Sequence, residues 1–396
     1  MAVPSTQHPA FTPTPAADLR ADFTVSYGYP VHFTADVFAP SNPVLAGVLP
    51  ERAEAAVLAV LDSGVADAHP GIGRRLAAYA AAHPDRMHLA GEPLVLPGGE
   101  ASKNDPGHLG ALLAAISDRG LCRHSYVLAV GGGAVLDVAG YATAVAHRGL
   151  RIVRVPTTTL AQADAGIGVK NGVNAFGRKN FIGSFAPPAA VINDLLFLTT
   201  LPSEQWRAGM SEAVKVACVK DPDFFAALEQ DAGALSAFGL EPMSRLVRRC
   251  AELHLRHIAD GGDPFESGSA RPLDFGHWAA HQIERLSRYR VGHGDAVALG
   301  IAIDTAYAAR TGLLPETDRQ RIFNLLAALG LRRWTAELLA GELQAGLQEF
   351  REHLGGRLTI TLPRAIGREI DVHDIDTTMM TAAVRTVHEW ASGSPS

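Results

Sequence analysis

The chain has 396 residues, 47% hydrophobic and 19% charged, which excludes a disordered tail protein or a small disulfide scaffold and suggests two to three units, each with its own core. Its 35 basic and 41 acidic residues sum to −6 with the signs interspersed, so no basic face marks a nucleic-acid partner. Cys122, Cys218 and Cys250 are far apart and form no CxxC pair, which argues against disulfides or a thiolate zinc site and fits a reducing, cytoplasmic setting. No apolar run reaches the roughly 18 residues that cross a bilayer, so no membrane partner is expected. Residues 1–20, rich in Pro, Ala and Thr, lack a signal-peptide pattern and are expected to form a flexible tail.

Short apolar runs then alternate with amphipathic stretches. Ala55–Leu61 predicts a buried strand ending at Asp62, and Ile72–Ala81 follows at helical spacing. Leu94–Leu96 predicts a short strand, His108–Ile116 a helix, and Tyr126–Val130 a strand entering Gly131, Gly132 and Gly133. A helix over Val135–Ala146 and a strand over Ile152–Val155, stopped by Pro156, continue the pattern. Such alternation implies parallel crossovers and an α/β sheet, with ligands at the carboxyl ends of the strands. Asp62, the triple glycine, Thr157 and Thr158 fall there. Past Ser203 apolar residues recur every three to four positions, through Glu204–Val219, Asp223–Leu228, Pro242–His257, Gly276–Leu286, Asp295–Thr311 and Glu316–Leu329. One strand-like run, Leu358–Leu362, interrupts this helical half, and the boundary is placed near Leu201 and Pro202.

Three stretches carry chemistry. The glycine turn presents backbone N–H groups at a helix start, a site for an anion such as a pyrophosphate, with Asp137 one turn further on. The segment from Pro156 to Asn180 sets Asp164, Lys170, Asn174, Lys179 and Asn180 among glycines that let backbone approach a ligand. Lysines suit phosphate because they are compact point charges with three donors. In the helical half, His277 and His281 share a face, His293 opens the next helix, and Glu212 lies in an earlier one. A Glu with two His is the composition of a catalytic metal site. Local spacing alone pairs His277 with His281 and leaves the choice of histidines open.

These motifs together resemble the dehydroquinate synthase-like superfamily, the sugar phosphate cyclases, from about Asp62 to about Gly367. GGGAVLDVAG is similar to the family's GGGxxxDxxG turn, PTTTLAQADAGIGVKNGVN to PTTLLAxxDSSVGGKTGVN, and RKNFIGSF to GKNLIGAF. RAGMSEAVK resembles the helix of the metal-ligand Glu, and RPLDFGHWAAHQIE with HGDAVALG the two metal-histidine segments. The resemblance implies a Rossmann-like NAD-binding α/β domain at 21–202 and a mostly α-helical metal- and substrate-binding domain at 203–396, usually in a homodimer.

It further implies NAD held by Asp62, Glu100, Lys103, Gly132, Gly133, Asp137, Thr157, Thr158, Lys179, Phe197 and Thr200. A divalent metal, zinc or cobalt, would sit on Glu212, His277 and His293. The sugar phosphate substrate would meet Arg148, Asp164, Lys170, Asn180, Lys215, Arg256, Asp274 and His281. Catalytic roles would fall to Lys170, Glu266, His281, Lys215 and Asp164. Similar enzymes oxidise a ring carbinol with NAD, eliminate phosphate, reduce the ketone back and close a carbocycle by an intramolecular aldol step. The chain departs from dehydroquinate synthases where they hold the substrate carboxylate: Ala270 stands in place of an Arg and Asp274 in place of an Asn, while a family lysine aligns with Arg256. A carboxylate calls for a bidentate Arg and is repelled by a fixed Asp. The departures resemble the branch that cyclises sedoheptulose 7-phosphate to valiolone-type cyclitols. The alternatives are 3-dehydroquinate synthase itself, other cyclases of the amino-inosose or deoxygadusol type, an NAD- and metal-dependent alcohol or glycerol dehydrogenase, and a non-catalytic binding protein. Arg351 is the nearest candidate for the family's C-terminal phosphate lysine.

Overall fold

The computed structural model describes residues 20–51, 56–261, 274–339, 343, 346–347 and 358–393. Its first half runs β1 (Val31–Thr34), α1 (Val44–Val48), β2 (Ala56–Asp62), α2 (Ser63–Ala68), α3 (Ile72–Ala82), β3 (His88–Leu89) and β4 (Leu94–Leu96). Next come α4 (Ala101–Asn104), α5 (Pro106–Asp118), β5 (Tyr126–Gly131), α6 (Gly133–Val145) and β6 (Arg151–Pro156), then β7 (Lys170–Ala175), β8 (Arg178–Phe185) and β9 (Ala190–Asp194). The parallel sheet has the order β1-β9-β6-β5-β2-β3, and β4 also pairs with β2. Every residue of β5 and β9 is buried, because a parallel sheet is covered on both faces and its strands are continuous apolar runs. The carboxyl ends of β4, β2, β5 and β6 are in register, with Asp62 beside Leu96, Leu61 beside Val130 and Gly131 beside Pro156.

The predicted strands and helices of this half are present to within a few residues. β1 and β9 were not anticipated, and the polar stretch after Pro156 holds more order than expected. Within it β7 and β8 form an antiparallel hairpin pairing Lys170 with Phe185. The hairpin follows a turn nailed down by Arg154, whose buried guanidinium donates to the carbonyls of Gly168 (2.6 Å) and Gly166 (3.2 Å).

The second half is a bundle of α7 (Ser203–Lys220), α8 (Pro222–Ser236), α9 (Leu240–Asp260), α10 (His277–Leu286), α11 (His293–Arg310) and α12 (Glu316–Ala328). It ends in a small antiparallel pair, β10 (Ile360–Ala365) with β11 (Arg368–Val372), and α13 (Thr377–Ser392). The predicted strand at Leu358–Leu362 is β10; its partner was not foreseen. Helix α11 is apolar all round and almost wholly buried, with α7, α10, α12 and α13 packed about it. No helix among the described residues is long and apolar enough to cross a membrane. The halves are clamped where β6 ends: Thr159 Oγ1 accepts from the Gly209 amide (3.1 Å) and donates to the Gln205 carbonyl (2.7 Å). That clamp sets α7, and with it Glu212, over the carboxyl edge of the sheet.

Candidate active site

Three helices bring Glu212, His277 and His293 together, with one ligand atom from each lying within 4.8 Å of the others. His277 and His293 are the first residues of α10 and α11. The start of α10 is fixed by Gly276, whose φ of +78° suits glycine and whose backbone packs so closely on α11 that a Cβ would stand 2.7 Å from the Ile301 amide. Glu212 Oε1 lies 3.4 Å from His293 Nε2 and 3.7 Å from His277 Nε2. The other ring nitrogens are engaged: His277 Nδ1 is 3.2 Å from the Phe275 carbonyl, and His293 Nδ1 is 3.3 Å from Glu284 Oε2. Such contacts fix the tautomer and aim both Nε2 atoms at Glu212. Neither Glu212 oxygen has a well-directed hydrogen bond among the described residues.

Burial opposes the charge on Glu212, but Lys215 first, then His293 and His277, hold it well below the usual carboxylate range. Burial, then Lys215, push His277 down to about 3 and keep it neutral. Burial also disfavours charge on His293, yet the carboxylates of Glu212 and Glu284 lift it to about 9. A buried carboxylate and two imidazole nitrogens that converge in this way form a donor set that fits a divalent metal, which would displace the proton that His293 carries in its absence. His281, the local-spacing choice, is exposed, its ring centroid 5.5 Å from that of His277, and it is not in the converging set.

Beside the cluster lies a cavity of about 330 Å³ lined in part by Asp164, Glu212, His254 and Arg256. Lys215 is buried and ion-paired with Glu212. Burial works against its charge, but Glu212, Asp164 and Asp274 together raise its pKa. Asp164 meets His254 Nδ1 at 2.9 Å, and despite burial that imidazole holds the acid below its ordinary value. Cys250 also lines the cavity, its thiol pushed up by burial.

The glycine turn is a tight cradle. A Cβ at Gly132 would touch Thr158 Cγ2 at 3.3 Å, and the amides of Gly133, Ala134 and Val135 precede the first bond of α6, Leu136 N–H to the Gly132 carbonyl. These fit a pyrophosphate. The Gly132 amide is committed to Asp62 Oδ2 (3.2 Å), whose other oxygen caps α2 through Gly64. Thr157 is buried and donates its amide to the Gly131 carbonyl. Next to the turn, buried Lys103 donates to Asp137 (2.7 Å) and to Asn180, while Glu100 accepts from Asn174 (2.7 Å). The hairpin is thus fastened to the cradle at Asn174 and Asn180.

Of the other expected residues, some sit apart from these clusters and some lie at their edges. Phe197 packs edge-on against His69 and Phe38 in the core, and Thr200 shares a hydrogen bond with His69. Arg148 is exposed beyond the far end of α6, about 20 Å along the helix from the turn, with no hydrogen bond or ion pair among the described residues. Lys170 opens β7 and Arg256 is exposed on the cavity rim. Lys179 crosses to the helical half and donates to Glu284 (2.9 Å). Glu266, Ala270 and Arg351 lie outside the described residues. His254 and Glu284 were missed. The signal for Glu284 was present, since it follows His277 by seven residues on the same helical face, whereas His254 is one of sixteen histidines with no local partner.

The family models described as 3-dehydroquinate synthase N-terminal and C-terminal match residues 93–208 and 209–351. The 3-dehydroquinate synthase of Xylella fastidiosa (strain M23) is 36% identical over 315 residues, 77% of this chain and 82% of the relative; that of Geobacter sp. (strain M21) is 40% identical over 240 residues, 60% of this chain and 66% of the relative. Among solved structures, ValA, a 2-epi-5-epi-valiolone synthase from Streptomyces hygroscopicus subsp. jinggangensis 5008 with NAD+ and Zn2+ bound, matches with TM-score 0.83 and 30% identity over 94% of this chain and 99% of its own. A 2-deoxy-scyllo-inosose synthase complexed with carbaglucose-6-phosphate, NAD+ and Co2+ has TM-score 0.75 at 24% identity over 90% and 96%, a likeness of fold. On both halves of its length, this chain belongs to the 3-dehydroquinate synthase family.

Proposed function

We propose that the chain is a sugar phosphate cyclase that converts sedoheptulose 7-phosphate into a valiolone-type C7 cyclitol with release of phosphate. The observation that carries this reading is the acid at Asp274, whose field reaches Lys215 beside the cavity. A carboxylate-bearing heptulosonate would meet that acid where dehydroquinate synthases offer an Asn, and Ala270 provides no guanidinium to receive it. A ketose phosphate with a neutral head group avoids both problems.

Glu212, His277 and His293 would hold a zinc or cobalt ion, and the glycine cradle with Asp62, Glu100, Lys103, Asp137, Thr157 and Thr158 would hold NAD. Bound there, the ion supplies Lewis acidity toward a carbinol oxygen and NAD a reversible hydride acceptor. Lys215 donates to a substrate hydroxyl, its charge secured by the surrounding carboxylates. Asp164, backed by His254, accepts from a neighbouring hydroxyl. Lys170, Asn180, Arg256 and His281 take the phosphate-bearing end, whose own oxygen removes the acidified proton as phosphate leaves. Residues 21–202 and 203–396 form the two domains, and the assembly is a cytoplasmic homodimer.

The second reading is 3-dehydroquinate synthase, favoured by the 36% identity with the Xylella enzyme. Incubation with sedoheptulose 7-phosphate, and separately with the heptulosonate phosphate, separates the two. Phosphate release and a carbocyclic product by NMR are expected with the first substrate only, with no net NADH. Turnover of the heptulosonate alone would establish the second reading, and net NADH would point to a dehydrogenase.

A further inference from the structure

We propose that Glu284 is a positioning residue that orients His293 for the metal and, through its second oxygen, anchors the β7–β8 hairpin by Lys179. The proposal rests on the metal reading of Glu212, His277 and His293. Glu284 lies on α10 with its side chain 5% exposed. Its Oε1 accepts from Lys179 Nζ at 2.9 Å, and its Oε2 faces His293 Nδ1 at 3.3 Å. Oε2 is buried and makes no well-directed hydrogen bond among the described residues, and the group it faces is His293 Nδ1, so a small turn of either side chain would complete the contact. A carboxylate on the far nitrogen of a ligating imidazole keeps a proton there, leaves Nε2 as the donor atom and stops the ring from turning. Removing such a partner costs about 10–100-fold in metal affinity.

The other arm reaches across the molecule. Lys179 belongs to β8, in the α/β half, and its ammonium also stands 5.1 Å over the ring of Tyr289, just beyond α10. Near this end of the hairpin Phe176 and Phe181 are exposed and pack edge-on against each other, while the Lys179 contact ties β8 to the helical half. One carboxylate therefore serves the strand pair next to the nucleotide cradle and a ligand of the metal. When the ion fixes His293, it also fixes Glu284 and the hairpin end that carries Lys179.

The test uses full-length protein with Co2+ as probe. Cobalt affinity is measured by competition with a chelator, together with the visible absorption of bound cobalt and hydrogen exchange of residues 170–185 with and without the ion. Wild type is expected to bind tightly, with slower hairpin exchange when loaded. Glu284→Gln is expected to bind about 10–100-fold more weakly, with an altered cobalt spectrum and hairpin exchange that no longer responds to the ion. Glu284→Asp, too short to span both partners, serves as the second variant and should show the same pattern. Either variant folding and binding cobalt with wild-type affinity and spectrum overturns the proposal. If the wild type has no tight cobalt site, or if Glu212→Ala retains it, the metal reading fails and the proposal falls with it.

Discussion

Glu212 carries a buried charge balanced by Lys215 on one side and two imidazoles on the other. Removing it leaves Lys215 buried without its nearest counter-charge and takes away the only carboxylate in the converging set. Glu212→Ala and His293→Ala are therefore expected to lose bound metal and turnover, measured by elemental analysis and phosphate release, while circular dichroism shows the fold retained. His281→Ala should keep the metal and lose turnover; loss of metal there would mean that the His277–His281 pair is the true site. Spacing within one helix favours the i, i+4 pair, because His293 is sixteen residues from His277 and becomes its neighbour only when α10 and α11 pack. The triad was legible through the resemblance of whole segments, not through the histidines themselves. His254 was illegible for the same reason: its partner Asp164 sits in the other half of the chain.

At the level of elements, α11 fixes where α10 begins. Fully buried Asp304 accepts from the Gly276 amide (2.9 Å) and the Trp278 indole (2.7 Å), one residue to either side of His277. Burial pushes its carboxyl up to about 7 against those two donors. The folded protein thus holds a proton that the unfolded chain releases near pH 4, so this group favours the folded state most at low pH and loses that contribution as pH rises through about 7. Comparing denaturant midpoints of wild type and Asp304→Asn from pH 4 to 8, the variant is expected to lack that downward component; parallel profiles would show that Asp304 does not titrate there. The helices and buried strands were readable in sequence because each buries a continuous face. The hairpin was not, because β8 exposes its Phe and Ile residues and presents no inward apolar set to read.

For the whole molecule, the candidate active site lies at a seam between two halves joined by one passage of the chain near Pro202. The Thr159 clamp and the Lys179–Glu284 pair cross it, and ligands bound in it stabilise the assembled form by linkage. An ion present at about 100 times its Kd adds about 2.7 kcal/mol. Stripping metal with a chelator should lower the thermal midpoint and restoring Zn2+ or Co2+ should recover it. An unchanged midpoint would show that no ion binds the folded state tightly at this site. The division into an alternating half and a helical half was plain from the change in hydrophobic period, whereas the strand order was not, since pairing of distant segments leaves no local trace.

That order has a consequence for biosynthesis. β1, the first strand among the described residues, pairs among them with β9 alone, which lies between it and β6. At translation rates of about 5–20 residues per second, residues 31–34 wait on the order of 10–30 s for residues 190–194 to emerge. Until then the growing sheet ends at β6 with an open apolar edge, so a ribosome stalled before Asp194 would display a sticky nascent chain, and holdase chaperones have their longest opportunity in that interval.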